Sequence, residues 1–157
     1  MRTKNILSYL KLDSFGVELQ YSKPRTDLIR FFYDNDIPVN MSPKMQIVVK
    51  SKLLSLDVTF CISFQFDDEN LIAITMTPDT NLEGKTLFSR YGKIQKALES
   101  ELGHPCNYFR KIMNLLDPQN RSSYWFRNGV KVEHYLLNRF GMEEIINIRP
   151  IRGRFYD

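Results

Sequence analysis

The stretch Leu56-Asp57-Val58-Thr59-Phe60-Cys61-Ile62-Ser63-Phe64-Gln65-Phe66 alternates apolar residues with polar or small ones along its whole length. Side chains on a strand point to opposite faces at every step. One face, Leu56 to Phe66 in twos, is therefore expected in a core, and the other wet or lightly covered. Asp67-Asp68-Glu69-Asn70 follows as a polar turn. Residues 71–77 alternate again, placing Ile72, Ile74 and Met76 on one face, and Pro78 ends the run. Two alternating runs joined by four polar residues predict an antiparallel hairpin. Upstream, 45–50 predicts a third strand after a loop containing Pro38 and Pro43.

Downstream the period changes. Leu87, Tyr91, Ile94, Leu98 and Leu102 recur at steps of four and three, which draws one apolar stripe along a helix over 86–102. Thr86 is the expected cap, and Gly103 and Pro105 the stop. Arg90, Lys93 and Lys96 lie off the stripe, toward solvent. A second helix is expected over 107–116, closed by Asp117-Pro118. Sheet then returns. Residues 124–127 and 130–137 flank Asn128-Gly129, the strongest short hairpin signal because both turn residues tolerate positive φ. A last strand is expected over 144–148, stopped by Pro150. Near the start, 27–36 reads as a helix with Thr26 as cap. Residues 5–21 fit either a helix and a strand or a hairpin around Asp13-Ser14-Phe15-Gly16. The order predicts one α+β domain over 1–157, its sheet mostly antiparallel and its helices packed on one face.

Length and composition agree: 157 residues, 43% apolar and 25% charged, suffice for one core without disulfides or metals. The two cysteines, Cys61 and Cys106, make no disulfide scaffold, so a reducing cytoplasm is the expected compartment. No apolar run approaches the ~20 residues that span a bilayer, and the basic start lacks the apolar stretch of a signal peptide. No membrane role is expected.

The net charge of +4 is unevenly distributed. Residues 1–52 carry +4, residues 84–157 carry +6, and residues 53–83 hold six acids and no Lys or Arg, for −6. The six are Asp57, Asp67, Asp68, Glu69, Asp79 and Glu83. Such a dipolar distribution orients a partner as well as attracting it. It equally suits acids that solvate the turns of a sheet.

Few enzyme chemistries survive inspection. A zinc site would need Cys61, His104, Cys106 and His134 together, and only His104-Pro105-Cys106 has close spacing. Cys106 at a helix start would have a lowered thiol pKa, with His104 or His134 as base, but no hydrolase signature surrounds it. Asp79, Glu83 and Lys85 imitate a carboxylate–lysine nuclease core; yet Asp79 and Glu83 stand too close in sequence for paired strands, and the stretch reads as a loop. Phosphate-binding glycine loops and a Gly-x-Ser-x-Gly elbow are absent. Asp67-Asp68-Glu69 falls short of a calcium cage. No catalytic residue, metal or cofactor is expected.

Nucleic-acid binding is the main alternative to a protein partner. Arg90, Lys93 and Lys96 on the long helix, with Arg149, Arg152 and Arg154 in the tail, form a basic footprint. Tyr124, Trp125 and Phe126 offer stacking surfaces, although consecutive strand residues face both ways and at least one must be core.

Residues 82–148 carry a resemblance. A helix ending Leu98-Glu99-Ser100-Glu101-Leu102-Gly103-His104-Pro105, a Trp125 strand, Val130-Lys131-Val132-Glu133-His134, then Arg139-Phe140-Gly141 and Ile145 follow in an order similar to small α+β immunity proteins of bacterial toxin–immunity systems. The resemblance implies a non-catalytic cytoplasmic inhibitor that binds a cognate toxin and blocks it. It carries over no site residue. Inhibitors of nuclease toxins are often acidic, whereas this chain is basic overall. Either the acidic 57–83 region is then the binding face or the toxin is not a basic nuclease; an exposed sheet edge is the other expected contact.

Overall fold

The long alternating run folds as the centre of a sheet. The computed structural model describes residues 6, 9–42, 46–107, 121–138, 142–153 and 155. In chain order the elements are β1 (Tyr9–Leu12), β2 (Val17–Gln20), α1 (Arg25–Asp34), β3 (Asn40–Ser42), β4 (Gln46–Lys52), β5 (Thr59–Asp67), β6 (Asn70–Pro78), α2 (Gly84–Leu102), β7 (Ser122–Arg127), β8 (Val130–Asn138) and β9 (Met142–Pro150). β1 and β2 form a separate antiparallel hairpin, closing around Asp13–Gly16. The other seven strands make one antiparallel sheet in the order β3-β4-β5-β6-β9-β8-β7. This is the α+β architecture expected from the sequence. The helix expected over 107–116 lies outside the described residues, apart from Asn107 in a turn.

Register explains the core. One row of paired residues crosses the sheet as Met41, Ile47, Phe64, Ile74, Ile148, Val132 and Trp125. All but Met41, on the short edge strand, are buried. α1 covers the β5 end of this face, with Phe32 5.7 Å from Phe64 ring to ring. The β1–β2 hairpin joins it through Leu10, Leu12 and Leu19, and α2 through Ile94, Leu98 and Leu102. The apolar stripe expected on α2 is the buried stripe found there, although the helix begins at Gly84 with Glu83 in the cap position, three residues before the cap expected at Thr86. At its end, Gly103 with φ 75° turns the chain and donates its N–H to Glu99 O.

The structure corrects two local expectations, at Ile72 and Thr26, and partly closes one edge of the sheet. Ile72 is not in the core: a bulge between Gln65 and Phe66 shifts the register, so Leu71, Ile74 and Met76 face inward and Ile72 outward. Thr26 does not cap α1. The carboxylate of Glu69, in the β5–β6 turn, accepts from the Thr26 backbone N–H at 2.8 Å and from its hydroxyl at 2.9 Å. The β7 edge is not open along its length. Cys106 N–H donates to Tyr124 O at 2.8 Å, while the Asn107 side chain donates to Ser122 O and accepts from Tyr124 N–H, as a neighbouring strand would. The Asn-Gly turn behaves as its chemistry requires, with φ of 50° at Asn128 and 76° at Gly129.

The bulge makes a sharp contrast testable. Ile74→Ala is expected to cost about 2–5 kcal/mol through a buried cavity. Ile72→Ala, two positions away, is expected to cost less than about 1 kcal/mol, as exposed sites do. Urea unfolding of both variants measures the difference, and equal losses would contradict the register.

Candidate functional site

The sheet's second face is the surface that no other described element covers. Its central row is Asn40, Val48, Ser63, Thr75, Asn147, Glu133 and Tyr124, one residue from each strand. At ~4.8 Å per strand spacing the row spans roughly 29 Å. The β4–β6 part is small and polar, with Cys61, Ser63, Gln65, Thr75 and Thr77, and Gln65 donates a long 3.4 Å bond to Thr75.

The β7–β9 part differs. Tyr124 and Phe126 alternate outward on β7 and meet edge to face at 5.5 Å, with Phe126 47% exposed. Across the β7–β8 pairing, the Lys131 ammonium lies 5.6 Å from the Phe126 ring and 5.9 Å from the Tyr124 ring. Glu133 pairs with both Lys131 and Arg149, the latter at 3.0 Å. Beside it, the Asn147 side-chain oxygen is shielded from solvent yet has no hydrogen-bond partner among the described residues. Two aromatic rings, two cations, a carboxylate and an unmatched acceptor thus share one rigid patch. Rings with a cation over them and an adjacent charged rim are the side chains that anchor protein interfaces.

The acids of 57–83 are not brought into such a patch. Asp67, Asp68 and Glu69 stand at the β5–β6 turn, whereas Asp57 and Asp79 stand at the far end of the same strands, about 26 Å away along a nine-residue strand. Three of the six have a local partner. Asp79 pairs with Lys50 at 2.8 Å and Asp57 with Lys52, both lysines coming from β4. The Lys52 ammonium holds the Asp57 carboxyl below the usual carboxylate range, and Asp79 raises Lys50. The Thr26 N–H and hydroxyl lower Glu69 likewise. Glu83 precedes α2 and is exposed.

The basic and aromatic set is also divided. Lys93 and Lys96 are exposed on α2, and Arg149 and Arg152 are exposed near the C-terminal end; Arg154 lies outside the described residues. Arg90, expected in solvent, turns inward instead: its Nε donates to Glu144 Oε2 at 2.8 Å, and its side chain is 10% accessible. Trp125 cannot stack on a base. It is 1% exposed and donates its indole N–H to Gly103 O at 2.8 Å.

The four metal-capable residues are separated by the sheet. Cys61 is on the open face, His134 is buried beneath α2, and His104 and Cys106 are exposed at the turn after α2. Among the described residues no three His, Cys, Asp or Glu side chains gather in a metal-binding arrangement. The Asp79–Glu83 segment is the loop its composition predicts. No helix among the described residues is long and apolar enough to cross a membrane.

Compared with known proteins, the chain matches no family model, no curated protein and no solved structure.

Parity along β7 was the signal that separates Tyr124 and Phe126 from Trp125. The roles of Lys131, Glu133 and Asn147 depend on pairings between strands, and nothing in their spacing announced them.

As the chain has a single tryptophan, its fluorescence reports directly on the core-facing side of β7. Trp125 is expected to emit in the blue-shifted, buried range, to resist acrylamide, and to stay unchanged on addition of single-stranded nucleic acid. Ready quenching in the folded protein would contradict the placement.

Proposed function

We propose that this chain is a non-catalytic inhibitor that binds a protein partner through the open face of β7, β8 and β9. The kind of protein we have in mind is the immunity protein that its residues 82–148 resemble, with a toxin domain as the cognate partner. The observation that carries this reading is the outward-facing Tyr124–Phe126 pair, half-buried at Tyr124 and exposed at Phe126, fixed on a strand and bordered by Lys131, Glu133 and Arg149. Aromatic and arginine anchors contribute most of the binding energy at interfaces, and strand-borne side chains lose little freedom on docking. In this reading Asp57 and Asp79 serve as local ion pairs and Glu69 meets the first turn of α1.

The test is co-purification and calorimetric titration with the protein encoded beside this one. Tyr124→Ala/Phe126→Ala is expected to weaken binding by about 2–4 kcal/mol, roughly 30- to 1,000-fold, with the unfolding midpoint nearly unchanged. Asp67→Asn/Asp68→Asn is expected to stay within about threefold, as rim charges do. Loss confined to the acidic variant would move the interface to the β5–β6 turn. Absence of any protein binding, with steep salt-dependent binding to nucleic acid that needs Lys93 and Lys96, would replace this reading with a nucleic-acid one.

A further inference from the structure

One inner row of the sheet breaks its apolar pattern. Val49, Ile62, Met76 and Ile146 continue across the register into His134 on β8 and Ser123 on β7. Glu144 on β9 also points inward, and the side chains of His134 and Glu144 are both inaccessible to solvent. Each ring nitrogen of His134 faces an oxygen: Nδ1 lies 2.7 Å from Gln95 Oε1, and Nε2 lies 3.0 Å from Glu144 Oε1. The Tyr91 ring stacks on the imidazole at 4.1 Å and 15°, shares a hydrogen bond with Ser123 and has the Arg121 guanidinium over its face at 5.9 Å. The polar and charged groups around the imidazole are therefore Arg90, Tyr91, Gln95 and Glu99 from α2, Glu144 from β9, Ser123 from β7 and Arg121 just before it.

The number of protons on the ring follows from its partners. A neutral imidazole has one N–H to give, and here it meets two acceptors. Its other nitrogen would point a lone pair at an oxygen in a space closed to solvent. Neither acceptor is easily turned into a donor. Turning the Gln95 amide over would aim its oxygen at Glu99, whose carboxylate accepts from the Gln95 amide nitrogen at 2.8 Å. Protonation of Glu144 is opposed by Arg90, whose Nε donates to the other carboxylate oxygen at 2.8 Å. Burial by itself disfavours a charged ring, and Glu144 pulls the other way. The carboxylate prevails, because Arg90 and Glu144 stand under α2 in either state and only the imidazolium meets both oxygens with an N–H. Tyr91 takes no part in the proton exchange, since burial holds its hydroxyl above the ordinary phenol range.

We infer that His134 is an imidazolium in the folded protein, and that its proton clamps α2 to the β8–β9 hairpin. In the unfolded chain the ring releases this proton near pH ~6.5, and in the folded chain only at higher pH, so between these values the folded chain binds one proton more. The clamp is fully present below pH ~6.5, weakens as pH rises, and is lost once pH passes the folded value of the ring. α2 therefore loosens in mild base. The clamp uses no side chain of the open face, so its failure and the failure of the binding reading are independent.

The ring can be observed directly. In His104→Gln protein His134 is the single histidine, and NMR of the folded state is expected to show both ring nitrogens protonated at pH ~6, with a titration midpoint above pH ~6.5. A singly protonated ring at that pH, or a midpoint at or below ~6.5, overturns the proposal. Adding Glu144→Gln, which keeps the shape and removes the charge, is expected to bring the midpoint below ~6.5; an unmoved midpoint sinks the clamp. Hydrogen exchange, corrected for intrinsic rates, is expected to show α2 amides over 90–99 losing protection from pH ~6.5 upward, roughly tenfold per unit until the ring's midpoint. Amides of β5 should be affected less. Equal loss in β5, or α2 protection that does not fall with pH, contradicts the clamp. Should Glu144→Gln fail to fold, the ring titration and the wild-type exchange pattern still decide.

Discussion

The pairing of β6 with β9 holds the rest of the structure together. β4, β5 and β6 follow one another as hairpins, and so do β7, β8 and β9; local chain geometry can build each group alone. Only the seam between Ile74 and Ile148, Thr75 and Asn147, and Met76 and Ile146 makes them one sheet. Its inward side chains, all inaccessible to solvent, pack in one apolar cluster with Ile94 and Leu98 of α2. α2 is also the connection between the two groups, so the same helix that the chain needs to reach β7 seals the joint from above.

That seam gives the two faces of the sheet their opposite characters. The inner rows are continuous from β4 to β7 and nearly all apolar; their polar members, His134, Glu144 and Ser123, sit beneath α2 and bond to it or to its neighbours. The outer face runs over the same width, with mostly polar residues and the exposed Ile72 over β5 and β6 and rings and charges over β7 to β9. A sheet with one face packed and one face open is the usual antiparallel solution. What distinguishes this one is where its aromatic side chains fall on the open side.

The charge distribution acquires a different meaning in three dimensions. A segment without Lys or Arg resembles an isolated acidic block only along the chain. In the fold β4 lies beside β5 and brings Lys50 and Lys52 to Asp79 and Asp57, while α1 brings its N-terminus to Glu69. Antiparallel strands then separate the remaining acids to opposite ends. Arg90 shows the same effect in reverse. Its place off the apolar stripe suggested solvent, and the inward-facing Glu144 of a strand more than fifty residues later draws it under the helix.

Periodicity, turn chemistry and helix stops by themselves determined the α+β class, the central hairpin, the buried stripe of α2 and the Asn128-Gly129 turn, because each rests on contacts between near neighbours. Trp125 was legible as one of three aromatics of which some had to be core; its parity within β7 was written in the chain, but which parity faces inward was not. The register bulge at Gln65 and Phe66, the partners of the acids, the closure of the β7 edge by Asn107 and the buried His134–Glu144 pair were decided only by tertiary structure. Each of these depends on which distant strand or helix becomes a neighbour, and that choice is made by the apolar seam between β6 and β9, whose two sides lie some seventy residues apart.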